Sequence, residues 1–152
     1  MIHIKIVAVG NLKEDFWQAA ENEYKKRLKK FCDLQIVEIA EQNILSDVEK
    51  IKNREGEDIL AHIAGTPILL DIHGKEFSSE DIANKIADIS QISSTITFVI
   101  GGSYGVSDLV KSQISQKLSF GKITLPHNLA RVVLLEQIYR AFMINSGSKY
   151  HK

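Results

Sequence analysis

The chain is short of cysteine, of long apolar runs and of any charge imbalance, and each shortage closes off a class of protein. Cys32 is the sole cysteine among 152 residues. It excludes an intrachain disulfide and a cysteine-built zinc cluster, and it fits a reducing compartment. Nineteen basic and nineteen acidic side chains cancel, so the whole-molecule field gives no pull toward nucleic acid, and any RNA contact must come from a local patch. No apolar run reaches the roughly 18 residues that a membrane span needs. The start, Met1-Ile2-His3-Ile4-Lys5, has neither the apolar core nor the cleavage site of a signal peptide. A cytoplasmic protein with no membrane partner is expected. The five histidines show no H-x-x-x-H spacing, and with no C-x-x-C either, no metal is expected.

What is present is an alternation of strands and helices. Residues 2–9 form an Ile- and Val-rich strand ended by Gly10-Asn11. Residues 15 to about 31 form a helix with Phe16, Ala20, Tyr24 and Leu28 on one face. A strand at 34–39 follows, with one wet face. Ser46-Asp47-Val48-Glu49 reads as a capping box opening a helix to about 63. Residues 68–72 form a short buried strand, Ser78 or Ser79 caps a helix to about 89, and 95–100 form another buried strand. Ser107 caps a short helix, and 117–125 supply a last strand and loop before the C-terminal helix. Nearly continuous apolar strands separated by helices predict an α/β fold, a mostly parallel sheet with helices on both faces. Residues 1–152 read as one domain.

The C-terminal helix carries polar groups at its two ends and an almost wholly apolar middle, broken by Glu136, Gln137 and Arg140. A helix apolar on most sides must be covered on most sides. A second copy of the chain is the expected cover, so a charge at Leu134 or Leu135 should give monomers or insoluble protein.

Three strand ends could carry chemistry. Gly101-Gly102-Ser103-Tyr104-Gly105 follows the strand 95–100, where open α/β sheets bind ligands. It is neither G-x-G-x-x-G nor a Walker loop, and taken alone a tight turn explains it slightly better. Leu70-Asp71-Ile72-His73-Gly74-Lys75 is a second strand end, where a solvated turn explains Asp71 and His73 as well as catalysis does. Leu118-Ser119-Phe120-Gly121-Lys122-Ile123-Thr124-Leu125-Pro126-His127 suits a loop wrapped around a planar ligand. Only the three converging on one crevice make a site. The basic run 25–30 reads first as a solvated helix end and second as a phosphate patch. The tail, Ser148-Lys149-Tyr150-His151-Lys152, reads either as frayed or as a pocket for an unstacked base. On these residues alone, a nucleotide-binding module stands level with an enzyme.

Ala8-Val9-Gly10, Asn53-Arg54-Glu55-Gly56, Leu70-Asp71-Ile72-x-Gly74-Lys75, Ile100-Gly101-Gly102-x-x-Gly105, Leu125-Pro126-His127, Arg131-Val132, Glu136-Gln137-Ile138-Tyr139-Arg140-Ala141 and Tyr150-His151-Lys152 stand in that order. Together they resemble the bacterial 23S ribosomal RNA pseudouridine N3-methyltransferases, minimal members of the SPOUT superfamily, and the resemblance runs from end to end. It implies a C-terminal trefoil knot, which sequence physics would not suggest. It implies a homodimer, S-adenosyl-L-methionine as cofactor, and an assembled ribosome as substrate. By position, Leu70, Gly102 and the loop Phe120, Gly121, Lys122, Ile123, Thr124 and Leu125 would hold the cofactor. His127, Tyr150 and Lys152 would face the RNA, with Arg131 as electrostatic support and His151 as a base. Ala130 is smaller than the family's pattern leads one to expect, though at no inferred contact. Two other classes fit parts of the chain: a SPOUT enzyme acting on transfer RNA, usually larger, and a non-catalytic ribosome-associated factor.

Overall fold

The computed structural model describes residues 1–43 and 47–152. Five strands form one sheet in the order β2-β1-β4-β3-β5, every neighbouring pair parallel. They are β1 (Ile2–Val9), β2 (Cys32–Ile39), β3 (Thr66–Glu76), β4 (Thr95–Ile100) and β5 (Lys117–Ser119). The helices are α1 (Asp15–Leu28), α2 (Val48–Ala61), α3 (Ser79–Ser90), α4 (Asp108–Gln113) and α5 (His127–Asn145).

Alternation along β1 assigns the two faces. Ile4, Ile6 and Ala8 join a core with Leu28, Ile82, Ile86, Leu134 and Ile138, residues of α1, α3 and α5. Val7 and Val9 join the opposite core with Ile59, Val110 and Ile114, on the side of α2 and α4. The parallel sheet is therefore covered on both faces, as its unbroken apolar strands require.

Several boundaries differ from the sequence reading, each for a physical reason. Helix α1 ends at Leu28, and its line of residues at four-residue spacing leaves the core. Leu28 is fully buried, whereas Phe16 is 63% exposed. Each four-residue step overshoots a full turn by about 40°, so the stripe winds out toward solvent. Strand β3 does not stop at Ile72. Its pairing with β5 jumps from Leu70 to Lys75, both opposite Leu118, so residues 71–74 bulge from the ladder and leave Ile72 exposed. For α2 the observed cap is Asp47, whose carboxylate accepts the Glu49 N–H at 2.9 Å; Ser46 lies outside the described residues. Ser78 caps α3 in a full capping box with Asp81.

The motif at 53–56 has a packing cause. A β-carbon on Gly56 would lie 2.6 Å from the Ser107 hydroxyl. Only glycine lets α2 come this close to the residue that caps α4.

Helix α5 corrects the expected cover. It lies between α1 and α3 on the sheet, and Leu134, Leu135 and Ile138 are fully buried within the single chain. Much of its apolar surface is thus covered by its own fold. A second copy is not needed to explain Leu134 or Leu135. No helix among the described residues is long and apolar enough to cross a membrane. Cys32 is buried at the start of β2, where burial pushes its thiol up to about 12.

Leu134→Ala is expected to lower unfolding free energy by about 2–5 kcal/mol in urea titrations, the usual range for a truncated core leucine. Leu134→Asp should fail to fold rather than yield a folded monomer. A well-folded, soluble Leu134→Asp chain would contradict this packing.

Candidate active site at the carboxyl end of the sheet

The β3 bulge and the loops after β4 and β5 converge on a cavity of about 810 Å³, within the roughly 300–1,000 Å³ typical of small-molecule sites. Its walls include Leu70, Asp71, Ile72 and His73 from the β3 bulge, Ile100 to Ser103 after β4, and Leu118 to Gly121 with Ile123 to His127 after β5. The three glycine-bearing strand ends thus meet in one crevice.

Local chemistry holds each loop. Asp71 accepts the His73 N–H at 2.9 Å and pins the bulge. Gly105 donates to the Gly102 carbonyl at 3.0 Å, closing a tight turn. The Ser119 hydroxyl donates to the Gly121 carbonyl and accepts its N–H, at 2.9 and 3.1 Å. Gly121 has φ +118, which suits glycine alone, and a β-carbon there would meet nothing within 4 Å. Its requirement is conformational rather than steric.

The segment Gly101-Gly102-Ser103-Tyr104-Gly105 also satisfies the G-x-S-x-G spacing of a nucleophile elbow. The structure does not support that chemistry. Ser103 bonds to no histidine among the described residues, and α4 begins only at Asp108.

Beneath the glycine turn, Glu55 is 5% exposed and its Oε2 accepts the Gln42 N–H at 3.1 Å. Burial holds its carboxyl above the usual range. At the far wall, His127 Nε2 stands 3.8 Å from Glu41 Oε1. Glu41 did not stand out in the sequence, and Glu55 did so only as part of the motif at 53–56, since their partners come from other elements.

The family model described as "Predicted SPOUT methyltransferase" matches residues 2–151. The chain belongs to the SPOUT methyltransferase family. The protein named "Ribosomal RNA large subunit methyltransferase H" of Latilactobacillus sakei is 50% identical, over 99% of this chain and 100% of that protein. The protein of the same name from Clostridium botulinum is 46% identical over the same shares. A solved structure titled as a probable methylase family protein from Haemophilus influenzae shares the fold. Its TM-score is 0.57 at 14% identity, over 98% of this chain and 70% of that one.

Within this SPOUT fold the residues singled out in the sequence separate into two groups. Leu70, Gly102, Phe120, Gly121, Ile123, Thr124, Leu125 and His127 all line the cavity; Lys122 is exposed and forms no part of the wall. Arg131, Tyr150, His151 and Lys152 do not line it in their own chain.

Arg131 is 4% exposed and inside an ion cluster. Its Nε donates to Glu21 at 2.7 Å and its Nη1 to Glu38 at 2.8 Å. Lys25 completes the group, 3.2 Å from Glu21. A guanidinium desolvated in this way must be paired, and here it ties α5 to α1 and β2.

The tail is not frayed. A Schellman-type end at Gly147, with Ser148 N–H donating to the Met143 carbonyl at 3.0 Å, turns the chain back along α5. The Tyr150 hydroxyl then donates to Glu136 at 3.0 Å. His151 sits 2.7 Å from Glu80 and 3.1 Å from Arg140. Ala130, expected to touch no contact, borders the cavity beside His127.

Arg131→Met should destabilise the fold by about 3–5 kcal/mol, because it removes the buried guanidinium that Glu21 and Glu38 share. Adding Glu21→Gln should recover part of that loss in denaturant titrations. A single variant as stable as the wild type would show that the cluster holds nothing in place.

Proposed function

We propose that this chain is an S-adenosyl-L-methionine-dependent methyltransferase of the N3 position of a pseudouridine in 23S ribosomal RNA, acting as a homodimer on assembled ribosomes in the cytoplasm. The observation that carries the reading is identity of 46–50% along the full length of relatives named as large-subunit ribosomal RNA methyltransferases. The knot implied by the resemblance and a single domain over residues 1–152 belong to the same proposal. The last loop shares the cavity with the β3 bulge and the β4 turn, and α5 packs between α1 and α3.

The cavity fits the cofactor. Leu70, Ile100, Leu118, Phe120 and Leu125 offer apolar walls to a flat purine, and the glycine turns expose backbone polar groups to its edges. When bound, the cofactor supplies a methyl group on a positively charged sulfur. The protein has to align the base, exclude water and help the ring N–H release its proton. His127, on the wall beside Glu41, would meet the substrate there. Arg131 acts from a distance: its ion cluster fixes the first turns of α5 and therefore the position of His127.

His151, proposed as the base, is held by Glu80 and Arg140 and lines no part of its own cavity. That placement supports a tail serving the cavity of the second subunit. Along α5, Leu129, Val132, Val133 and Met143 are partly exposed and lie outside both core clusters. They supply the apolar stripe for that contact.

Labelled methyl from S-adenosyl-L-methionine is expected in 23S RNA of intact unmodified ribosomes, and not in naked RNA or isolated subunits. Deleting residues 150–152 should abolish transfer while cofactor affinity stays nearly unchanged. Label appearing in transfer RNA instead, or full activity without the tail, would overturn the respective assignment. Val133→Asp should sediment as a folded monomer, and a stable dimer from that variant would place the interface elsewhere.

A further inference from the structure

Large apolar side chains are unevenly spread over the surface. Apart from Met1 and Ile92, the exposed ones among the described residues are Phe16, Val48, Ile72, Tyr104, Leu109 and Ile123. In a wholly parallel sheet every strand-to-helix loop and every helix start lies at the carboxyl end. Five of them occupy such positions and Ile72 stands on the β3 bulge that borders the cavity, so the exposed apolar area gathers where the cavity opens. A single exposed apolar residue needs no explanation, but a gathering of them marks an interaction surface.

Three of them surround the mouth, one from the β3 bulge and one from each of the loops after β4 and β5. Ile72 is 45%, Tyr104 58% and Ile123 79% exposed. Ile72 and Ile123 border the cavity, and Tyr104 stands between Ser103 and Gly105, which also border it. Tyr104 is a central residue of the turn closed by Gly105 N–H and the Gly102 carbonyl. Its backbone is therefore fixed, and little freedom remains to be lost when the ring is covered. The other tyrosines, Tyr24, Tyr139 and Tyr150, all enter aromatic pairs within the chain. Tyr104 enters none among the described residues.

We propose that Ile72, Tyr104 and Ile123 form the seat for unstacked RNA bases at the cavity mouth, with the Tyr104 ring as the stacking face. The inference rests on the methyl-transfer reading and deepens it. A base modified at a ring nitrogen must leave its stack to reach a buried donor, and the vacated and extruded faces are flat and apolar. Aromatic side chains take such faces with little regard to sequence. Lys111 on the wall and the exposed Lys122 on the β5 loop place positive charge where the attached phosphates would pass. A second copy seated on these residues would shut the opening that the substrate has to use.

The test compares wild type, Tyr104→Ala and Tyr104→Trp in initial-rate methyl transfer to unmodified ribosomes, with calorimetric cofactor titration and sedimentation of each. Tyr104→Ala should raise KM for ribosomes on the order of tenfold, the scale of one lost stacking contact. The loss should fall on KM rather than kcat, with cofactor affinity and sedimentation as in the wild type. Tyr104→Trp should restore KM. An unmoved KM in Tyr104→Ala overturns the inference and leaves the methyl-transfer reading standing. A drop in cofactor affinity or a shift in sedimentation also overturns it, by assigning Tyr104 to the cofactor pocket or to a subunit contact. Absence of transfer by the wild type removes the reading and the inference together.

Discussion

Parallel strands cannot be joined by tight hairpins, and this constraint governs the whole molecule. Each connection must cross over through a helix, so every strand-to-helix loop falls at one end of the sheet. Two of those loops here carry glycine turns, and they meet the β3 bulge around one cavity. The cores on the two faces, built from alternate residues of the same strands, then have one task in common. They hold the strand ends still enough for loops from distant parts of the chain to share a wall.

Helix α5 joins that end to the rest of the fold. Its start borders the cavity through His127 and Ala130, and one turn later Arg131 is locked between Glu21 and Glu38. Further along, Glu136 receives both Arg140 and the Tyr150 hydroxyl. The helix is therefore fastened by charge at the cavity end and by apolar packing along its middle. Its returning tail uses the same polar face a second time. Two networks on one helix explain why its polar residues cluster as they do: each is a fastening point, and none is a stray charge in an apolar run.

Much of this was legible in the sequence where the signal was local. Strand β4 matched its expected bounds because the six residues between Ser94 and Gly101 are all β-branched or aromatic. Ser107, and Ser78 as one of two candidates, were readable as caps because capping needs only neighbouring N–H groups. The β3 bulge was not legible, since it arises from pairing with β5, more than forty residues on. Arg131 looked like a residue aimed at substrate because its partners lie 110 and 93 residues away. The apolar middle of α5 announced burial but not by what, since a second copy and its own α1 and α3 would leave the same pattern. For the site, the wall residues were readable from glycine spacing and resemblance. The placement of the tail relative to the cavity was not, because it depends on where a folded-back segment lands.

The balance of charge acquires a structural meaning from these placements. In the basic run ending α1, Lys25 is committed to Glu21, and Arg27 to Glu23 and the faces of Tyr24 and Tyr139. Arg131 and Arg140 are likewise paired within the chain. Cations bound up in this way contribute little to the counterion release that drives general adhesion to nucleic acid. A protein with no net charge and with several of its strongest cations engaged inside cannot rely on long-range attraction to RNA. Its discrimination has to come at short range, from the shape of the end where the loops meet and, on the proposed seat, from flat contacts at the cavity mouth. Such contacts form only when a base is already unstacked and presented in the right place. This favours a target displayed by a structured assembly over any exposed stretch of RNA.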